Sequence, residues 1–182
     1  GAAEPARVAI LPAVSYGIAT VARNVPCEAG QRIVIAGEQF PSNVYAWRRL
    51  AAERGGSVHT VPRPVPQDGA GAAWSEAIVA AIDEGTAIVA LPHVHWTDGT
   101  RFDLERIGAR AKHVGAAFII DGTQSIGAMP FDVGSVRADA VVCAAYKWLL
   151  GPYALAFGWF GPMFDAGEPL EETWIGREGS ED

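Results

Sequence analysis

The sequence lacks most of the features that mark secreted and membrane proteins. Its 182 residues include only two cysteines, Cys27 and Cys143, too few for the disulfide framework of a small secreted domain. No apolar run approaches the ~20 residues of a membrane-spanning helix. The N-terminus also lacks the basic and apolar regions of a signal peptide. We therefore expect a cytoplasmic protein.

Positive charge is also scarce. Fourteen Lys and Arg residues stand against 21 Asp and Glu residues, which leaves a formal net charge of -7. A protein that binds nucleic acid or an anionic membrane surface normally presents a basic field to the phosphates. The composition therefore favours a small-molecule substrate, with no nucleic acid and no membrane as partner.

Short apolar runs alternate along the chain with longer stretches of helical periodicity. This alternation is typical of an α/β fold with a mostly parallel sheet covered by helices on both faces. A final apolar run, Ala154–Phe160, follows a Gly-Pro turn too closely for a crossover helix, so we expect it to pair antiparallel. The other predicted strands are Val8–Leu11, Arg32–Ile35, Ser57–Val61, Thr86–Leu91, Ala116–Ile120 and Ala140–Ala144. The predicted helices are Ser15–Asn24, Ser42–Arg54 with Ser42 as its cap, Trp74–Ile82 and Asp103–His113.

Polar residues follow several of these strands at the carboxyl edge of the sheet, where open α/β folds bind ligands. Asp121 follows one strand, His93 another and Lys147 a third. The helix that starts near Ser15 would present free N–H groups to an anion. Pyridoxal phosphate (PLP) needs such a set, because a lysine amine binds its aldehyde, an acid holds its ring nitrogen protonated and backbone donors hold its phosphate.

The residues around the acid and the lysine carry a more specific signal. The run Asp121-Gly122-Thr123-Gln124-Ser125-Ile126-Gly127, followed by Lys147-Trp148-Leu149-Leu150-Gly151-Pro152, strongly resembles the class V aminotransferase family of fold type I PLP enzymes. That family includes cysteine desulfurases, selenocysteine lyases and kynureninases. The resemblance implies an α/β/α sandwich with a mostly parallel sheet, the large domain of such an enzyme.

The resemblance also implies roles for individual residues. Lys147 would form the Schiff base, an internal aldimine, and then shuttle the α-proton of the substrate. Asp121 would pair with the pyridine nitrogen, and Gln124 would contact the ring oxygen. His93 would stack on the open face of the cofactor ring.

Three further residues are implied to bind the phosphate. Val14 and Ser15 lie where the family has its helix-start donors, and Tyr146 lies where a His, or in kynureninases a Tyr, reaches the phosphate. Val14 stands where cysteine desulfurases usually carry a hydroxyl residue. Trp96 likewise departs from the desulfurase pattern. Together with Tyr146, it favours a kynureninase-like or uncharacterised branch.

The implied activity is a PLP-dependent transformation of an amino acid, of the transaminase or α,β-lyase type, in a homodimer. Family chains are longer, so residues 1–182 would form a partial PLP-binding large domain, truncated at both ends and without the C-terminal small domain. The piece alone is then expected to be inactive. The alternative is a non-catalytic remnant or fragment that retains the fold without turnover.

A metal site is the alternative hypothesis for the two neighbouring histidines. His93 and His95 lie two apart on an extended segment and would project on one face, as a ligand pair can. Only four histidines occur in the chain, and no cluster of cysteines accompanies them. We therefore expect no metal.

Overall fold

The computed structural model describes residues 4–65, 70–174 and Gly179, and within them the chain folds around a seven-stranded sheet. The strand order is β1-β7-β6-β5-β4-β2-β3. Only β7 runs against the others, and it pairs antiparallel with both β1 and β6. The strands are β1 (Val8–Leu11), β2 (Arg32–Ala36), β3 (Ser57–Val61), β4 (Thr86–Pro92), β5 (Ala117–Asp121), β6 (Ala140–Ala144) and β7 (Ala156–Phe160). The predicted antiparallel final strand is confirmed.

Helices cover both faces of the sheet because successive strand residues point to opposite sides. Ile33 and Ile35 of β2 pack in one apolar cluster, and Val34 packs in the other. The helices are α1 (Val14–Asn24), α2 (Tyr45–Arg54), α3 (Ala70–Ala81), α4 (Leu104–His113) and the short α5 (Val133–Val136). Helices α1 and α2 contribute to the first cluster, and α3 and α4 to the second. The predicted α/β/α sandwich is confirmed.

Two local expectations were wrong. The helix predicted from Ser42 begins at Tyr45, after a separate 3-10 turn over Pro41–Asn43, and no side-chain hydrogen bond caps it. Asn43 is buried there and accepts a hydrogen bond from Trp47 Nε1 at 2.9 Å, so the segment follows this contact instead of a helical path. Strands β1 and β3 are also partly exposed, because they lie at the two edges of the sheet.

Helix α1 sits unusually close to the sheet, which matters for the position of its N-terminus. A Cβ atom at Gly17 would lie 2.7 Å from Val142 Cγ1 and 2.9 Å from Leu11 Cδ1. Only a glycine permits this approach without moving those core side chains. The first turn of α1 is therefore held beside the carboxyl ends of β1 and β6.

None of the helices in the described part of the chain combines the length and hydrophobicity needed to span a bilayer.

Candidate active site

A cavity of about 360 Å³ opens at the carboxyl edge of the sheet. Its walls come from the segments that follow β1, β2, β4, β5 and β6 and from the turn that precedes β7. The structure brings together here six of the residues proposed from the sequence: Val14, Ser15, Asp121, Gln124, Tyr146 and Lys147. Residues more than a hundred positions apart in the chain thus share one pocket.

Asp121 is the buried acid of this cavity. It ends β5, the central strand of the sheet, and is 7% exposed. Its Oδ1 atom accepts a hydrogen bond from the Thr123 N–H at 3.0 Å. Burial raises the pKa of the Asp121 carboxyl above its ordinary value, while the Thr123 hydrogen bonds and the positive charge of Lys147 oppose that rise. A cationic group bound beside Asp121 would hold the carboxyl ionised.

Lys147 lies in the turn after β6 and is half-buried. The turn is closed by hydrogen bonds from Gly151 N to Ala145 O at 2.9 Å and from Ala145 N to Leu155 O at 2.9 Å. Within the described ranges, no carboxylate forms an ion pair with the Lys147 amine. Lys112, the other lysine of the chain, lies on α4 and pairs with Asp139. Lys147 is therefore the amine available in the cavity.

The N-terminus of α1 forms another part of the wall. Its cap residue, Ala13, offers no side-chain acceptor, and the first turn holds no acidic residue. The first hydrogen bond back along the chain runs from Gly17 N to Ala13 O at 3.3 Å. The N–H groups of Val14 and Ser15, which line the cavity, therefore have no acceptor within the helix. Together with the helix dipole, such groups favour an anion.

Phe40 and Trp96, for which the sequence predicts no contact with the cofactor, also line the cavity. Phe40 follows β2 and Trp96 follows β4, and their rings meet edge to face with centroids 5.4 Å apart. Trp96 Nε1 donates a hydrogen bond to Glu38 O at 2.8 Å. We call Phe40 and Trp96 the aromatic wall. Phe40 follows β2 by four residues, in a loop at the same carboxyl edge of the sheet as Asp121 and Lys147, and that position is its signal in the sequence.

His93 lies elsewhere, contrary to the stacking position expected for it. Pro92, Val94 and Trp96 line the cavity, but His93 lines a second cavity with Phe131. The extended segment alternates its side chains, so His93 points the other way and packs against the Phe131 ring at 5.5 Å. Burial, and then the nearby Arg101 charge, lowers the pKa of His93. The structure therefore does not bring His93 to Lys147 and Asp121.

His95 is buried in a hydrogen-bonded network. Its Nε2 atom lies 3.0 Å from Gly37 O, and its Nδ1 atom lies 2.9 Å from Thr97 Oγ1. Both ring nitrogens are thus occupied by protein groups. Among the described residues, no group of three or more His, Cys, Asp or Glu side chains is arranged to hold a metal ion.

The chain matches the family model for class V aminotransferases over residues 3–157. It is 29% identical over 177 residues to an uncharacterized aminotransferase, YcbU, of Bacillus subtilis, covering 97% of this chain and 46% of that protein. It is 35% identical over 143 residues to a probable cysteine desulfurase of Methanothermobacter thermautotrophicus, covering 79% of this chain and 34% of that protein. The chain therefore spans less than half the length of these relatives.

A solved structure shares the fold. It is a C-DES variant with glycine covalently linked to its PLP cofactor, which superposes with a TM-score of 0.77 over 93% of this chain and 49% of its own. The sequences are 18% identical, so this likeness concerns the fold alone. The family match reaches from before α1 to Phe157 in β7 and includes every residue that lines the cavity. The chain belongs to the class V aminotransferase family.

Proposed function

We propose that the protein binds PLP in the cavity and uses it to transform an amino acid, by a reaction of the transaminase or α,β-lyase type. One observation carries the proposal: a single cavity holds a lysine amine with no ion pair among the described residues, a buried carboxyl group and a helix N-terminus without a side-chain cap. PLP has an aldehyde, a basic ring nitrogen and a phosphate, and each of these groups needs one of the three. Family membership and the PLP-containing structural neighbour support the same cofactor.

Different residues of the cavity would bind different groups of the cofactor. The N–H groups at the start of α1, from Val14 and Ser15, would hold the phosphate, with Tyr146 beside them. Lys147 would hold the cofactor covalently through its amine. Asp121 would hold the ring nitrogen, and Gln124 the ring oxygen. In place of His93, we assign Phe40 of the aromatic wall to the face of the ring, because Phe40 lines this cavity and His93 does not.

PLP, when bound, supplies a ring that withdraws electrons from the α-carbon of an amino acid. Asp121 would keep a proton on the ring nitrogen by charge pairing, which its buried position strengthens. The Lys147 amine, once released by the incoming substrate, would act as the base that moves the α-proton. Phe40 and Trp96 would shield this proton transfer from water.

The proposal is tested by titrating the full chain with PLP, reducing the mixture with borohydride and mapping the modified peptide. We expect one modified site, Lys147. The chain provides an internal control, because Lys112 is its only other lysine and lies on the surface of α4. Modification at Lys112, or no modification with PLP in excess, would refute the assignment.

The alternative is a protein that binds the cofactor without turnover. The chain spans 46% of one relative and 34% of the other. We propose that residues 1–182 are part of a PLP-binding large domain. Exchange of the α-proton of amino acids in deuterated water distinguishes the enzyme from this alternative. Labelling of Lys147 with exchange supports the enzyme, and labelling without exchange supports the alternative.

We further propose that a second copy of the chain covers the mouth of the cavity. Three apolar side chains stand out in the turn between β6 and β7: Trp148 is 53% exposed, Leu150 90% and Tyr153 80%. Tyr153 also lines the cavity and stacks on Tyr146 with ring centroids 4.4 Å apart. Exposed apolar surface of this kind favours association. Sedimentation equilibrium should show a dimer, and Leu150→Glu should yield a monomer.

For the location we propose the cytoplasm. Cys27 and Cys143 are both buried and both free. Burial, and then the negative charge of Asp121, raises the pKa of the Cys143 thiol to about 11, so that thiol stays protonated and unreactive at neutral pH. Free core thiols of this kind are typical of proteins from reducing compartments.

A further inference from the structure

Arg63, just after β3, joins two loops at the carboxyl edge of the sheet. Its guanidinium group forms an ion pair with Glu38 at 3.0 Å in the loop after β2. It forms a second ion pair with Asp98 in the loop after β4. It also donates a hydrogen bond to Thr97 Oγ1 at 2.5 Å. One side chain therefore links three segments that follow three different strands.

The guanidinium group also packs over an aromatic ring. Its carbon Cζ lies 5.3 Å from the centre of the Trp74 ring, which is fully buried. A second neighbour is His95, whose Nδ1 atom lies 3.4 Å from an Arg63 terminal nitrogen. Stacking on an aromatic face and a fork of fixed donors together restrict an arginine more than a lysine could be restricted.

The two loops that Arg63 joins carry the aromatic wall. Phe40 lies two residues after Glu38, and Trp96 lies two residues before Asp98. The backbone of Glu38 has φ +52, in the left-handed region that a residue with a side chain rarely adopts. The turn therefore needs contacts that stabilise it, and the ion pair to Arg63 is one of them.

Without the Arg63 charge, the carboxylates of Glu38 and Asp98 would repel each other. Glu38 and Asp98 would both face the space that the guanidinium group occupies, and two carboxylates without a cation between them repel. The hydrogen bonds from Trp96 Nε1 to Glu38 O and between His95 Nε2 and Gly37 O would remain, together with the ring contact of Phe40 and Trp96. These contacts lack the charge of the two ion pairs that Arg63 forms.

We propose that Arg63 is a positioning residue that holds Phe40 and Trp96 in place before any ligand enters the cavity. The consequence for PLP rests on the function proposed above, while the clamp on the two loops does not. If removal of the clamp leaves about a tenth of the molecules with the wall in place, the apparent affinity for PLP falls about tenfold.

Two substitutions in the full chain separate the contribution of the Arg63 charge from that of its fork of hydrogen-bond donors. Arg63→Met keeps the length of the side chain but removes the charge and the fork of donors, and Arg63→Lys keeps the charge. We expect Arg63→Met to speed amide hydrogen exchange about tenfold in residues 37–40 and 95–98 without ligand, and to weaken PLP binding about tenfold. Arg63→Lys should restore part of both. Arg106→Met is the matched control, because Arg106 pairs with Glu76 at 2.7 Å and does not line this cavity.

Hydrogen exchange tests the clamp on the two loops, and PLP affinity tests its effect on the cavity. Faster exchange confined to the two loops, with the control unchanged, supports the clamp. Unchanged exchange in Arg63→Met, or faster exchange that extends equally through β3 and α3, overturns it. If the unaltered chain fails to bind PLP, the proposed function fails, and the exchange data still test the clamp. If the unaltered chain and Arg63→Met bind PLP equally well, the positioning role is overturned.

Discussion

Replacing Lys147 with alanine should abolish covalent attachment of PLP and all exchange of the substrate α-proton. Lys147 is the lysine that lines the cavity, so the variant would lose both the point of attachment and the base. Loss of a general base costs on the order of 10²–10⁴-fold in rate, and loss of the attachment site adds to this. The measurements are the absorbance of bound PLP, peptide mapping after borohydride reduction, and α-proton exchange in deuterated water.

Lys112→Ala is the matched control for this prediction. Lys112 is 40% exposed and pairs with Asp139, outside the cavity. Loss of this partly exposed pair costs on the order of 1 kcal/mol of stability, so the variant should fold and retain covalent PLP. Attachment that survives Lys147→Ala and disappears in Lys112→Ala would contradict the assignment of the site.

Replacing Asp121 with asparagine should separate binding from chemistry. Asparagine has nearly the same shape and can still accept the Thr123 N–H, so the cavity should keep its form. Its neutral amide cannot hold a proton on the cofactor ring, so α-proton exchange should fall by on the order of 10²-fold or more. PLP retention and exchange rates measured on the same sample decide the prediction. If Asp121→Asn exchanges the α-proton as fast as the unaltered protein does, Asp121 has only a structural role in the turn after β5.

Asp121→Asn should lower the rate of α-proton exchange but raise the stability of the ligand-free protein. Burial raises the pKa of the Asp121 carboxyl above its ordinary value, so the folded, ligand-free protein binds the carboxyl proton more tightly than the unfolded chain does. The contribution of Asp121 to stability is therefore fully present below pH 3.8 and is lost as the pH rises through the folded-state value. At neutral pH, Asp121→Asn should raise the melting temperature of the ligand-free protein, because asparagine has no carboxyl group whose ionisation opposes folding.

Asp139→Asn provides the control for both effects. Asp139 lies at the opposite end of the sheet, before β6, where its carboxylate accepts the Phe118 N–H at 2.8 Å and pairs with Lys112. Its substitution should lower stability and leave the exchange rate of the loaded protein unchanged. A loss of exchange in both variants would indicate that stability, and not ring protonation, limits the reaction.

Much of the architecture could be predicted from the sequence because the signals are local. Strands buried on both faces, such as Ala140–Ala144, appear as short apolar runs. Asp121 and Lys147 lie within three residues of the ends of such runs, and parallel strands end at one edge of the sheet. Those two facts predicted their meeting without knowledge of any contact. The antiparallel β7 was predictable for a similar reason, since too few residues precede it for a crossover.

Other features were decided only by the tertiary structure. Which face His93 takes depends on the alternation of an extended segment and on the packing of its ring against Phe131, a contact between distant parts of the chain. The place of Phe40 depends on Trp96 and on the loops that Arg63 joins. The sequence by itself determined the sheet, its two covered faces and the acid and lysine at its edge, because periodicity and strand ends are local properties. Tertiary packing decided which side chains close the cavity, because side-chain direction in a loop depends on partners that the local sequence does not contain.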